Sequence, residues 1–329
     1  MGETEYVLSI TFLHGPCSLK EALTVLGELG VRVSEVLSNR RIVFSSSLPV
    51  EKLADRLFYL PSAVALYRLA GGLRHLYGLG RVHIEFEGVR GEEKASLIEK
   101  LKEKGVFLSE KGVRVLLLKK GDLTKVYEAV VEYRRDRFKP RSPEKRVFFQ
   151  SSALNPPTAL LLLNMACGFG KKVLDPFAGT GSVVIEAALS GSYSVGVEID
   201  YRQVRGALRN LRQYGVHAYV DLVLGDSLFP PFREGCFDAI ATDPPYGRYA
   251  STKGRSVEEV YGGLLRLAKT VLKSGRAAFF SPGNVEIREE KVREECSIYV
   301  HSGLTRRLWV YDAGCRSDVW GRGGDPAEV

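Results

Sequence analysis

Between Tyr6 and Leu13 apolar and polar residues alternate, the period of two that predicts a half-buried strand. Ser18 to Leu29 shifts to helical spacing, and Val31 to Leu37 and Arg41 to Ser45 return to alternation. Residues 1–60 therefore read as a small ferredoxin-like α+β module. After Pro61 the apolar run Ser62 to Leu69 predicts a helix. Strand Val82 to Phe86, the amphipathic helix Glu92 to Lys104, and strands Val113 to Leu118 and Val126 to Val131 complete a second module over residues 61–133.

Arg134 to Arg146 loses periodicity and carries Pro140 and Pro143, which marks 134–150 as a linker. Beyond it the rhythm changes. Strands predicted at Lys172 to Leu174, Tyr193 to Glu198, Ala218 to Leu224, Phe237 to Thr242 and Arg276 to Ser281 are mostly separated by helical patterns at Ser182 to Leu189, Tyr201 to Tyr214 and Val257 to Leu272. Such alternation implies an α/β fold with a parallel, doubly wound sheet over residues 151–329. Ser297 to His301 and Arg307 to Tyr311, flanking Ser302-Gly303, predict an antiparallel pair at its end.

Composition narrows the class. With 329 residues, 45% hydrophobic and 26% charged, the chain has the makeup of a soluble protein of two or three domains. Its amino terminus has no basic leader, so a cytoplasmic protein is expected, and no apolar run is long enough for a membrane span. The five cysteines form no CxxC pair and read as buried small hydrophobes. His14, His75, His83 and His217 show no ligand spacing, so no metal is expected. A net charge of +8 makes a polyanionic partner plausible. Its local form, Tyr133-Arg134-Arg135-Asp136-Arg137-Phe138-Lys139, interleaves cations with aromatics, as a surface for phosphates and stacked bases does. Arg134, Arg135, Arg137 and Lys139 are candidate substrate contacts there; a solvated basic linker is the other reading.

The chemistry sits at strand ends. Lys172 to Ser182 reads as a strand, a tight turn and a helix start: Asp175, Pro176, Phe177, Ala178, Gly179, Thr180, Gly181. It lacks the GK[ST] ending of a phosphate loop and does not match GxGxxG. The carboxylate of Asp175 suits a cationic group, such as the ammonium of a methionine moiety, better than a pyrophosphate. About twenty residues on, Glu198, followed by Ile199, is placed to accept from both hydroxyls of a ribose. Asp226, followed by Ser227, ends a third strand and could accept from an adenine amine.

A fourth strand runs into Asp243-Pro244-Pro245-Tyr246-Gly247-Arg248. The prolines fix φ and remove two N–H donors, leaving carbonyl acceptors in set directions. An exocyclic base amine is a donor whose lone pair is delocalised, and it attacks poorly until acceptors hold its hydrogens. Asp243 and the Pro244 carbonyl are the acceptors expected to do so, with Tyr246 stacking on the base and Pro245 and Arg248 contacting it.

Taken together, DPFAGTGS, VGVEID, LGDS and TDPPYGR resemble the archaeal tRNA guanosine-10 N2-methyltransferases, which join a THUMP domain to a Rossmann-like class I methyltransferase. Tyr299 to Arg306 is similar to the family's closing hairpin, and Arg146 to Pro157 to the segment that precedes its catalytic sheet; Gln150 and Ser151 depart from the family's histidine and proline there. The resemblance implies S-adenosyl-L-methionine as cofactor, tRNA as partner held by its acceptor end on a THUMP-like RNA-binding module at residues 61–133, and transfer to guanine N2. A monomer is the default. A ribosomal RNA guanine-N2 methyltransferase, and a DNA adenine-N6 or cytosine-N4 methyltransferase acting on an extruded base, are the alternatives.

Overall fold

β1 (Thr4–Ile10), α1 (Cys17–Glu28), β2 (Arg32–Leu37), β3 (Arg41–Ser46), α2 (Val50–Phe58), β4 (Ala63–Gly71), β5 (Arg81–Glu87), α3 (Gly91–Glu103), β6 (Phe107–Leu108), β7 (Val113–Lys120) and β8 (Leu123–Glu132) occupy the first part of the chain. The computed structural model describes residues 2–38, 40–229, 231–245, 254–301 and 304–314. It falls into two units. The first comprises Met1–Thr11, Leu29–Phe58 and Ala63–Arg135; the second comprises Phe12–Glu28, Tyr59–Ser62 and Asp136–Val329.

In the first unit the strands read from sequence as two modules form one eight-stranded sheet, in the order β2-β3-β1-β4-β8-β7-β5-β6. The run Ser62 to Leu69, expected as a helix, is strand β4. It pairs antiparallel with β1 on one side and β8 on the other. A central strand buried on both faces is apolar at successive positions, so no alternation marks it. Val7, Ala65, Tyr67, Leu116 and Tyr127 pack together on this sheet, and Leu101 of α3 packs with Val82, Val115, Leu117 and Val126.

The second unit continues through α4 (Pro156–Met165), β9 (Lys172–Asp175), α5 (Ser182–Leu189), β10 (Tyr193–Glu198), α6 (Tyr201–Gln213), β11 (Val220–Leu224), β12 (Phe237–Thr242), α7 (Val257–Val271), β13 (Leu272–Pro282), β14 (Val292–His301) and β15 (Leu304–Asp312). Its seven-stranded sheet has the order β11-β10-β9-β12-β13-β15-β14. The first five strands are parallel, whereas β15 runs antiparallel to β13 and pairs with β14. This is the doubly wound sheet with an antiparallel end that the periodicity implied. Among the described residues no helix is long and apolar enough to cross a membrane.

Two segments join this unit unexpectedly. Helix α1, expected within an amino-terminal module, packs here: Asn164 of α4 donates to Glu21 Oε1 at 2.6 Å, and Cys17 forms a disulfide with Cys296 of β14. The reading of both cysteines as simple buried hydrophobes is thus corrected. A partner 279 residues away leaves no local spacing to find. The stretch after Arg135, expected as a linker, is also packed against the sheet's helices. Arg141 makes a two-pronged pair with Glu186 of α5 at 2.9 and 2.7 Å, Arg146 donates to Ser182 at 2.6 Å, and Phe138 is buried.

Candidate active site

β9 lies between β10 and β12, so the connections leaving its carboxyl end turn away in opposite directions and open a crevice there. A cavity of about 830 Å³ fills that crevice, a volume suited to a cofactor-sized ligand. Asp175, Glu198, Asp226 and Asp243 all line it, together with Phe177, Ala178, Gly179, Thr180, Ile199, Ser227, Pro244 and Pro245. The expected acids converge because each follows a parallel strand whose end faces the same edge.

Asp175 is buried, and its Oδ1 accepts from the Thr242 hydroxyl at 2.7 Å and the Phe177 amide at 3.1 Å. Burial pushes its carboxyl up to about 7, outweighing those two bonds, and the charges of Glu198 and Asp243 push the same way. Glu198 accepts from the Gly179 amide at 2.9 Å and the Asp200 amide at 2.8 Å. Burial again raises its carboxyl. The Gly179 contact bends the turn over the second strand, with Gly179 itself at φ +53°. Gly181, expected among the cofactor contacts, does not line the cavity. It caps α5 at φ +89°, and a Cβ there would meet Ala207 at 3.4 Å, so its task is to seat the turn on α6.

Asp243 is only 14% exposed and faces Arg306 of β15 at 3.1 Å. Burial lifts its carboxyl to about 6, and the Arg306 charge restrains that rise. Tyr261 of α7 and Asp175 also feel the Asp243 charge. The arrangement supplies a buried acceptor next to a carboxylate-lined cavity, with one guanidinium keeping that acceptor anionic.

Arg306, read from sequence as part of the closing hairpin, is 16% exposed and turned onto Asp243. Asp226 is engaged too, since Arg255 donates to Oδ1 at 3.0 Å and forms an ion pair with Oδ2. That hydrogen bond holds the Asp226 carboxyl below its usual range. Arg255 was not read as a site residue, and its neighbourhood in sequence gives no sign that it returns to the third strand. Every residue from Phe149 to Asn155, within the segment that resembles the family's stretch preceding the catalytic sheet, lines the cavity, Gln150 and Ser151 included.

Tyr246 and Arg248 lie outside the described residues. The proposed RNA contacts in the linker are not gathered at the cavity. Arg137 donates to the Leu60 carbonyl at 2.7 Å and lies over the Phe138 ring, so it fastens the main chain. Phe138 and Tyr133 are buried and present no stacking face, whereas Arg134, Arg135 and Lys139 are exposed.

A family model described as "RMKL-like, methyltransferase domain" matches residues 143–307. A tRNA (guanine(10)-N2)-dimethyltransferase of Methanothermobacter thermautotrophicus is 35% identical over 185 residues, 54% of this chain and 54% of that protein. One of the same name from Pyrococcus abyssi is 34% identical over 225 residues, 64% of this chain and 67% of that protein. The chain thus spans about half to two thirds of the length of these relatives. TrmN from Thermus thermophilus superposes with a TM-score of 0.49 at 20% identity, covering 94% of this chain and 99% of that one.

Proposed function

Since the chain belongs to the family of RMKL-like methyltransferase domains, we propose that it methylates the exocyclic N2 amine of guanosine in tRNA with S-adenosyl-L-methionine as donor. The observation that carries this reading is the buried Asp243 acceptor, held anionic by Arg306, opening into the same cavity as Asp175 and Glu198.

The cavity's donor set fits the cofactor. Glu198 keeps lone pairs for a pair of ribose hydroxyls beyond the two amides it already binds. Asp175, its charge left short by burial, suits an ammonium group. Asp226 would accept from an adenine amine in competition with Arg255. When bound, the cofactor supplies an electrophilic methyl group on sulfur. This chain's residues then orient the nucleophile. Asp243 and the Pro244 carbonyl accept the two N–H bonds of the amine, loosening the lone pair from the ring. Methyl transfer to the amine would develop positive charge on its nitrogen. Asp243 stabilises that charge and accepts the proton that leaves. A monomethylated amine retains one N–H, so a second transfer uses the same geometry.

The relatives' names support position 10 and two methyl groups. Residues 61–133 are the proposed THUMP-like module holding the tRNA acceptor end, and the protein is proposed to act as a monomer in the cytoplasm. The full-length protein is to be incubated with labelled cofactor and unmodified tRNA transcripts, followed by nucleoside analysis. Labelled N2-methylguanosine and N2,N2-dimethylguanosine are expected. Labelled N6-methyladenine without either overturns the reading.

A further inference from the structure

Helix α6 leaves the cavity with Ile199, Asp200 and Gln203 lining the mouth, and its outer face carries Arg202, Arg205, Arg209 and Arg212. All four are exposed. At 3.6 residues per turn these positions fall within an arc of about 80° and extend over about 15 Å of helix. The arginines therefore form one straight stripe. No carboxylate among the described residues pairs with any of them, and α6 contains no acidic residue at all. Exposed Tyr201 stands at the cavity end of the stripe, with the Arg205 guanidinium 5.8 Å from its ring centre.

Fold stability does not account for this pattern. Each arginine neighbours the next at a spacing of three or four, where like charges repel. Arg202 sits in the first turn, where the helix dipole is positive and a cation is disfavoured. Other side chains already anchor the helix without the stripe: buried Asn210 accepts from the Phe148 amide and donates to its carbonyl, and exposed Gln213 accepts from the Val147 amide and donates to the Lys145 carbonyl. That grip also brings exposed Lys145 beside the far end of the arginine row. A row of unanswered cations, repeating at helical steps and beginning at the cavity mouth, is complementary to a polyanion with regularly spaced charges.

We propose that the arginine face of α6 binds the phosphate backbone of the RNA whose base enters the cavity; this rests on the reaction proposed above. The stripe contacts phosphates, so it contributes affinity and register and leaves the choice of base to the cavity. The surface differs from the linker residues Arg137 and Lys139, which do not line the cavity.

The test uses the full-length protein with Arg202→Gln, Arg205→Gln, Arg209→Gln and Arg212→Gln combined, and a second variant with lysine at the same four positions. Binding of an unmodified tRNA transcript is measured across a salt series. The glutamine variant should lose about three to four from the slope of log affinity against log salt, with KM for tRNA raised at least about tenfold by the same electrostatic loss. Cofactor affinity and kcat at saturating tRNA should be unchanged, and the lysine variant should keep the slope. An unchanged slope in the glutamine variant overturns the proposal, as does equal loss in the lysine variant. Weakened binding to anionic lipid vesicles with tRNA binding unaffected also overturns it, by assigning the face to a membrane. If the parent protein binds tRNA with the steep slope but methylates a different base, the surface stands and the reaction reading falls.

Discussion

Four carboxylates withdrawn from solvent, two in each unit, titrate in opposite directions. In the first unit burial pulls Glu85 upward, but the Tyr67 hydroxyl at 2.8 Å and the guanidinium groups of Arg41 and Arg114 outweigh it and leave the carboxyl below its ordinary range. Glu5 behaves the same way against Tyr127 and Lys125. In the second unit burial prevails: Asp175 rises to about 7 and Asp243 to about 6. The first pair is satisfied within the fold and holds a sheet together. In the second pair burial outweighs the partners beside a cavity, which is where a ligand's charge has something to add.

The largest expected effect breaks the second half of that contrast. Asp243→Ala should lower methyl transfer by about a hundredfold to a thousandfold, the usual scale for removing one group aimed at developing charge. Cofactor affinity, measured by calorimetry, should stay close to that of the parent, because Asp243 is assigned to the amine. Equal loss of transfer and cofactor binding would place Asp243 in the cofactor site instead. Glu85→Gln, the matching change in the satisfied network, should leave the chemical step unaltered.

Arg306→Met sharpens the comparison by taking away a guanidinium that restrains Asp243. The acceptor must be ionised to work, so the activity limb climbs with pH through about 6 in the parent protein. Without the guanidinium, burial weighs more heavily and the limb should move to higher pH, by about one unit for a partner of this kind. Loss of activity should therefore be about fivefold near pH 6, approach about tenfold below pH 5 and shrink as pH rises past 8, while Arg306→Lys should keep the limb close to its parental place. Asp175 on β9 and Tyr261 on α7 face the same carboxyl and are untouched by the change. A pH-independent loss would show that Arg306 only braces β15.

How much of this could be read from the chain depends on where each partner lies. The acids at the ends of β9, β10, β11 and β12 are local in sequence to the strand and turn that present them, and parallel strands send them all to one edge; hence Asp175, Glu198, Asp226 and Asp243 were legible. Arg255 and Arg306 reach those acids from segments 29 residues or more away, and only the fold brings them back. Strand β4 and helix α4 were hidden for a related reason. The first half of β4 and nearly all of α4 are buried without alternation, so neither shows the period that separates helix from strand; α4 begins with Asn155 accepting from the Thr158 amide and has nine of its ten residues buried. The linker misled in another way. Cations interleaved with aromatics look alike whether the aromatics stack on bases or, as Tyr133 and Phe138 do, enter the core.

The smallest effect tests the comparison at its root, the proton on Asp175. Its carboxyl stands near 7, above the ordinary aspartate value of 3.8, so near neutral pH a substantial share of molecules carry the proton there. A cationic group binding beside it favours the ionised form and draws its pKa down. Cofactor binding should therefore release a fraction of one proton between about pH 5.5 and 7.5, with affinity rising with pH up to about 7 and levelling beyond, by linkage. Calorimetry of cofactor binding in buffers of differing ionisation enthalpy measures that fraction directly. Asp175→Asn should abolish most of the release, whereas Glu85→Gln should leave it intact, since Glu85 is ionised throughout that range. Proton uptake on binding, or release that persists in Asp175→Asn, would mean that the buried carboxylate at the end of β9 is not the one that meets the ligand's charge, and Glu198, raised by the same burial, would take its place in the comparison.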